Sequence, residues 1–108
     1  CGARTETHYQ RNTIALVNDD GLAAMVASAA AATPGVARVD RTLRMMAGED
    51  FAYIAAQVPS CFFFVGCGGP DAEPHHSPRF VVDEAALPVA AGVMLRAAVA
   101  HLLGAAGA

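Results

Sequence analysis

Two imidazoles stand side by side at His75 and His76, inside the loop Pro74-His75-His76-Ser77-Pro78-Arg79-Phe80. A neutral imidazole nitrogen is a good ligand for divalent zinc, manganese or nickel. Prolines on both sides restrict the loop backbone, so a ligand there loses less freedom on binding metal. Adjacent residues in an extended loop point opposite ways, so one histidine of the pair faces a site and the other stands behind it or in solvent. The competing reading is a pair of solvated loop histidines, and spacing alone leaves both open. A catalytic metal needs about three protein ligands plus an open position. No second cluster in the chain completes such a set.

A second candidate lies at Glu49 and Asp50, which follow Met45-Met46-Ala47-Gly48. Read plainly, they are carboxylates in the first turn of a helix, at the positive end of its dipole. Read functionally, they mark a strand-to-helix turn of the kind where α/β ligand sites gather, with backbone N–H groups suited to an anionic substrate group. Other chemistries find no support. The chain has no G-x-S-x-G elbow, Walker lysine loop, C-x-x-C pair or H-E-x-x-H helix. Gly66-Cys67-Gly68-Gly69-Pro70-Asp71 breaks the dinucleotide fingerprint at its last glycine. Ser77 lies next to His76, and a neighbour in sequence is a poor general base for a serine nucleophile.

The elements that must position these residues follow a strand and helix alternation. Ala3 to Arg11 alternates loosely and suits a strand with a wet face, followed by an apolar connector from Ile14 to Val17. Asn18, Asp19 and Asp20 offer caps for a first helix, with Leu22, Met25, Val26 and Ala29 on its apolar stripe. Thr33-Pro34-Gly35 should stop it. Val36 to Met46 holds one or two short strands. A second helix opens at Gly48-Glu49-Asp50, carries Phe51, Ile54, Ala55 and Val58 inward, and ends at Pro59. Cys61-Phe62-Phe63-Phe64-Val65 is apolar on both faces, as a central covered strand would be. Asp83 or Glu84 caps a third helix, with Leu87, Ala91, Met94, Leu95, Ala98 and Leu102 predicted to face inward. Gly104 to Ala108 reads as a frayed tail. The order predicts an α/β fold with layers on a sheet. The polar first strand is either an edge strand or the end of another domain, with the chain crossing into this one near Asn18.

Composition narrows the partners. The 108 residues are 55% hydrophobic and 16% charged, enough for a core and against wholesale disorder. A net charge of −3 makes no case for nucleic acid or an acidic membrane surface. All basic residues are arginine, and the grouping Arg38, Arg41 and Arg44 reads as a solvated edge. Cys61 and Cys67 would lie roughly 20 Å apart along a strand, beyond the ~7 Å that a disulfide spans. Cys61 therefore reads as a small core residue, and reduced thiols suit a cytoplasmic setting. Cys1 to Arg11 is polar and lacks the apolar region of a signal peptide. Ala85 to Leu103 is interrupted by Pro88, Gly92, Arg96 and His101 and is rich in alanine, so it is expected to be a buried helix of a soluble protein.

Four ordered motifs carry a family resemblance: Met45-Met46-Ala47-Gly48-Glu49-Asp50-Phe51-Ala52-Tyr53, Val58-Pro59-Ser60 through Gly66, His75-His76-Ser77-Pro78-Arg79-Phe80, and Asp83-Glu84-Ala85-Ala86-Leu87-Pro88. Together they resemble the C-terminal part of the M20 metallopeptidases, nearest the hippurate hydrolases, N-acyl-amino-acid amidohydrolases and auxin-conjugate hydrolases. The resemblance covers Tyr9 to Leu103, and Tyr9 to Asn18 is similar to that family's return from its lid domain. It implies an α/β fold: residues 18–108 would belong to a three-layer sheet-and-helix catalytic domain of the zinc-peptidase type. Residues 1–17 would be the last strand and hinge of a lid domain through which the parent protein dimerises.

The implied reaction is hydrolysis of the amide in an N-acyl amino acid or a related peptide-like small molecule. The complete enzyme would use two divalent ions, of zinc, manganese, nickel or cobalt, and a glutamate base lying outside this chain. His76, the histidine immediately before Ser-Pro, matches the family's last metal ligand. His75 has no such assignment and stands as a supporting group behind the ligand. Glu49 and Asp50 match the G-E-D-F turn near the substrate. Other ligands find no match here, so the chain is expected to be a C-terminal piece, or a degenerate gene product, inactive by itself. A non-catalytic α/β binding or assembly module is the alternative, as is a dipeptidase or carboxypeptidase of the same family.

Overall fold

Asp19 begins the first ordered element. Its backbone is extended (φ −65°, ψ 130°), and its carboxylate accepts the Leu22 N–H at 2.8 Å. That satisfies one of the donors orphaned at a helix start. Helix α1 then runs Asp20–Ala31 in the computed structural model, which describes residues 2–105. Alanine, the best helix former, fills half of it. Termination falls at the predicted breaker. Val36 N–H donates to the Thr33 carbonyl at 3.3 Å around Pro34 and Gly35, with Gly35 at φ 89°. Proline followed by a positive-φ glycine is the signature of a type II turn.

The second helix is shorter than its apolar stripe predicts. Helix α2 spans Phe51–Ala55, and Ala56, Gln57 and Val58 close it as turns onto Ala52 and Ile54. Pro59 disfavours a helical Val58, which cuts the helix early. Ala52 is buried, and the Phe51 ring lies 5.7 Å from that of Phe62.

Helix α3 spans Ala86–Ala105. Of the two candidate caps, Asp83 acts: its carboxylate accepts the Ala85 N–H at 3.0 Å. Pro88 sits in the first turn, where its missing N–H has no partner to lose. The predicted inward face is displaced. Val93 and Ala97 are buried, whereas Leu87, Met94, Leu95 and Leu102 are each more than half exposed. The reason is close approach. Small residues meet at the α1–α3 contact: a Cβ on Gly92 would lie 3.1 Å from Thr33 Cγ2, and one on Gly35 would lie 2.8 Å from Val89 Cγ2. The small-residue seam, rather than the leucine stripe, sets which side of α3 docks. Ala86–Gly104, expected to be buried, is only 6% buried over its apolar window, and its length and composition suffice to cross a bilayer.

Among the described residues no strand ladder forms along 3–11, 36–46 or 61–65. A strand needs a partner to take its N–H and C=O groups. A side chain supplies one instead. The Asn18 carboxamide donates to the Phe62 carbonyl and accepts the Phe62 N–H, both at 2.8 Å, and Asp19 N–H donates to the Ser60 carbonyl at 2.9 Å. The segment around Phe62 is thereby fastened to the start of α1. Among the described residues the buried set is small: Ala29, Ala52, Val93, Ala97 and Thr33. The accessible surface is 9009 Å², against about 5,700 Å² for a compact protein of this mass. Of the predicted tail from Gly104 to Ala108, residues 106–108 lie outside the described residues, as does Cys1.

Candidate functional site

The histidine loop is built from two consecutive turns that share Ser77. Ser77 N–H donates to the Pro74 carbonyl at 3.1 Å, which places His75 and His76 at the two central positions of the first turn. Phe80 N–H donates to the Ser77 carbonyl at 3.0 Å, with Pro78 and Arg79 central in the second. Pro78 suits its position because its ring presets φ. His76 does not suit its own in the same way. Its φ is 68°, the left-handed region, and among the described residues it is the one non-glycine residue there. Histidine is enriched several-fold in that region over most side chains, yet the conformation still costs about 1 to 3 kcal/mol. Gly35 fills the equivalent turn position after α1 without that cost.

Side chains close over the strained turn. Glu73 Oε2 accepts the Ser77 hydroxyl at 3.0 Å, and Glu73 Oε1 pairs with the Arg79 guanidinium. The Ser77 oxygen in turn accepts the Arg79 N–H at 3.2 Å. His75 packs its ring edge against Phe80, with centroids 5.1 Å apart at 85°. Both histidines are exposed: His75 is engaged by an aromatic ring within the loop, and His76 makes no hydrogen bond among the described residues. Glu73 is not singled out by the sequence; its place four residues before Ser77, across a turn bounded by prolines, is the one signal that could have found it.

At the other candidate, the two acids take different parts. Glu49 Oε1 accepts the Phe51 N–H at 3.1 Å, while Asp50, at the cap position of α2, makes no side-chain capping bond. One backbone donor of this turn is therefore already occupied by Glu49, and a five-residue helix offers no anion site of its own. The turn packs beside the incoming chain: Tyr53 hydroxyl donates to the Asn12 carbonyl at 3.1 Å, and a Cβ on Gly48 would lie 3.1 Å from Thr13 Cγ2. Among the described residues no hydrogen bond or ion pair joins this turn to the histidine loop.

A metal ion fits this chain in one respect only. His76 supplies one unhindered imidazole, but no three His, Cys, Asp or Glu side chains gather among the described residues. The donors present fill one coordination position and do not hold an ion by themselves. Two surface depressions lie elsewhere. One of 340 Å³ runs from Asp19 along Ala55 to Ser60, and one of 500 Å³ lies between Thr33-Pro34 and the α3 residues Val89, Gly92 and Leu95. Neither includes His75, His76, Glu49 or Asp50.

Electrostatics elsewhere are local. Partial burial, then the Asp19 carboxylate, push the Cys61 thiol above its usual range; Cys61 is half-buried and not among the core residues. Cys61 and Cys67 are both free. Thr42, through its hydroxyl and then its N–H, holds the exposed Asp40 carboxyl below its usual value, with a smaller contribution from Arg38. Arg38 is itself largely exposed, so the arginine grouping starts on a solvated edge.

Comparison with known proteins covers both candidate sites. YhaA of Bacillus subtilis (strain 168), a protein to which its name ascribes amidohydrolase activity, is 36% identical over 103 residues, 93% of this chain and 26% of that protein. The Arabidopsis thaliana IAA-amino acid hydrolase ILR1-like 6 is 43% identical over 53 residues, 46% of this chain and 11% of that protein. The chain thus spans about a quarter or less of the length of these relatives. No solved structure matches it. The family pattern of peptidase family M20/M25/M40 matches residues 3–100. With nearly the whole chain inside that match, from before Asn18 to beyond the histidine loop, the protein belongs to peptidase family M20/M25/M40, a family of hydrolases.

Proposed function

We propose that this chain is the C-terminal segment of a metal-dependent amidohydrolase that cleaves N-acyl amino acids or related amides. The similarity to YhaA over 93% of the chain carries this reading. The substrate class draws on the plant relative, which its name calls an IAA-amino acid hydrolase. When bound, a divalent metal supplies an activated water and polarises the scissile carbonyl. His76 contributes one of its ligands, and the remainder come from parts of the enzyme outside these residues. Glu49 secures the α2 turn through Phe51, and Asp50 is the carboxylate left free to meet substrate. In the complete enzyme, residues from Asn18 onward take their place in a three-layer sheet-and-helix domain, and the preceding segment belongs to a lid.

Helix α3 fits the interior of such a domain better than a bilayer. Arg96 lies near the middle of Ala86–Gly104, where a charge costs about 2.5 to 3.5 kcal/mol in a membrane, and one side of the helix packs on α1.

The test is a substrate panel on the complete enzyme: hippurate, N-acetyl amino acids, indole-acetyl amino acids and free dipeptides. N-acyl amino acids should be turned over, with loss on chelation and recovery on adding zinc or manganese. His76→Ala should lower turnover by at least about 100-fold, beyond the 10- to 100-fold typical of a residue that only supports a ligand. Turnover confined to free dipeptides would replace the amidohydrolase reading with a dipeptidase.

A further inference from the structure

Glu73 is the residue around which the histidine loop closes. Its two carboxylate oxygens reach two different partners, Ser77 by hydrogen bond and Arg79 by ion pair. The Ser77 contact spans the Pro74–Ser77 turn, whose central residues are His75 and His76. The strained φ of 68° at His76 therefore lies inside a ring sealed twice, once by backbone and once by the Glu73 side chain. The two seals differ in exposure: the Glu73 side chain is 31% exposed, whereas Arg79 is 79% exposed. Solvent screens an ion pair of that kind, so the Ser77 hydrogen bond is the effective half of the clasp.

We propose that Glu73 is a positioning residue for His76: by holding Ser77 across the turn, it keeps His76 left-handed and so sets the direction in which the imidazole is presented to metal. Releasing the clasp lets His76 relax to negative φ, which swings its Cα–Cβ bond away from that direction. This inference rests on reading His76 as a metal ligand. It assigns to Glu73 and Ser77 an effect on metal affinity although neither is itself a ligand.

The test uses the complete enzyme stripped of metal and titrated with cobalt(II) against a chromophoric chelator, with the visible d–d spectrum recorded at saturation. Glu73→Ala and Ser77→Ala should each weaken cobalt binding about tenfold and alter the spectrum. Glu73→Gln keeps an oxygen acceptor for Ser77 while losing the ion pair, and should restore both to within about threefold of the parent. Wild-type affinity and spectrum in Glu73→Ala would overturn the inference, as would a Glu73→Gln variant as impaired as Glu73→Ala. Where circular dichroism shows that Glu73→Ala fails to fold, Ser77→Ala decides by the same criteria. His76→Ala separates the two levels: if it leaves cobalt binding and spectrum unchanged, the ligand reading itself fails. If it abolishes them while Glu73 and Ser77 variants do nothing, only the clasp fails.

Discussion

At His76 the side chain and the backbone make opposite demands. On the proposed reading the imidazole serves a metal, but the turn asks for the left-handed region that suits glycine. A substitution series separates the two. His76→Gly should be more stable than His76→Ala by about 1 kcal/mol, because alanine bears the Cβ penalty at φ 68° and glycine does not. Both variants should lose metal equally; chemical denaturation and metal content measured on the same samples check this. Cys61 provides a second residue-scale test. Its raised thiol pKa means that, at a given pH near 8, less of it is thiolate than in an ordinary cysteine. Alkylation of Cys61 by iodoacetamide should lag behind a small-molecule thiol at pH 8 and catch up only at higher pH. The linkage has the same sign. A folded-state pKa raised above the unfolded value favours folding below the unfolded pKa, and that contribution is lost as pH rises through the folded one.

Elements in this chain are held by small residues more than by large ones. Gly35 both turns the chain after α1 and brings it against Val89 of α3, where a Cβ would approach to 2.8 Å. Gly35→Ala should therefore destabilise the α1–α3 pair by about 1 to 2 kcal/mol, from positive φ alone before any clash is relieved. Gly104 is the control. It lies in α3, and a methyl group added there would meet nothing within 4 Å, so Gly104→Ala should be neutral or stabilising by up to about 1 kcal/mol. Thermal melts of the two variants, run together, distinguish a packing contact from a general helix effect. The same seam explains why the leucine stripe of α3 does not mark its docked face. Periodicity marks which residues are apolar, and the partner helix decides which of them it can approach. Ala29 on α1, with Val93 and Ala97 on α3, permits a close crossing that Met94 and Leu95 would hold apart.

On the scale of the whole molecule, surface and dimensions point the same way. A radius of gyration of 18.5 Å exceeds the about 13 Å expected for a compact domain of this length, and the excess accessible surface agrees. Many large apolar side chains remain exposed, among them Met46, Leu95 and Leu103. The His76 imidazole and the Asp50 carboxylate line neither surface depression, and among the described residues no metal-ligand set gathers. The 108 residues alone, supplied with zinc or manganese, should therefore hydrolyse neither hippurate nor N-acetyl amino acids above the rate of the free metal. Turnover that disappears in His76→Ala would contradict that expectation. Small-angle scattering should likewise give a radius well above 13 Å for the isolated chain.

Local chemistry was legible in the sequence because it depends on neighbours along the chain. Caps among Asn18 to Asp20 and at Asp83 or Glu84, and the stop at Thr33-Pro34-Gly35, follow from residue type and spacing, and the motifs around Glu49 and His76 carry the family resemblance. What depends on distant groups needed the tertiary structure. Asn18 serves Phe62 rather than α1, since a carboxamide carries both a donor and an acceptor and can replace a missing strand partner. Which face of α3 is buried was set by the shape of α1. The left-handed backbone of His76 and the Glu73 clasp over it arise from turn closure, a condition on φ that no count of histidines contains.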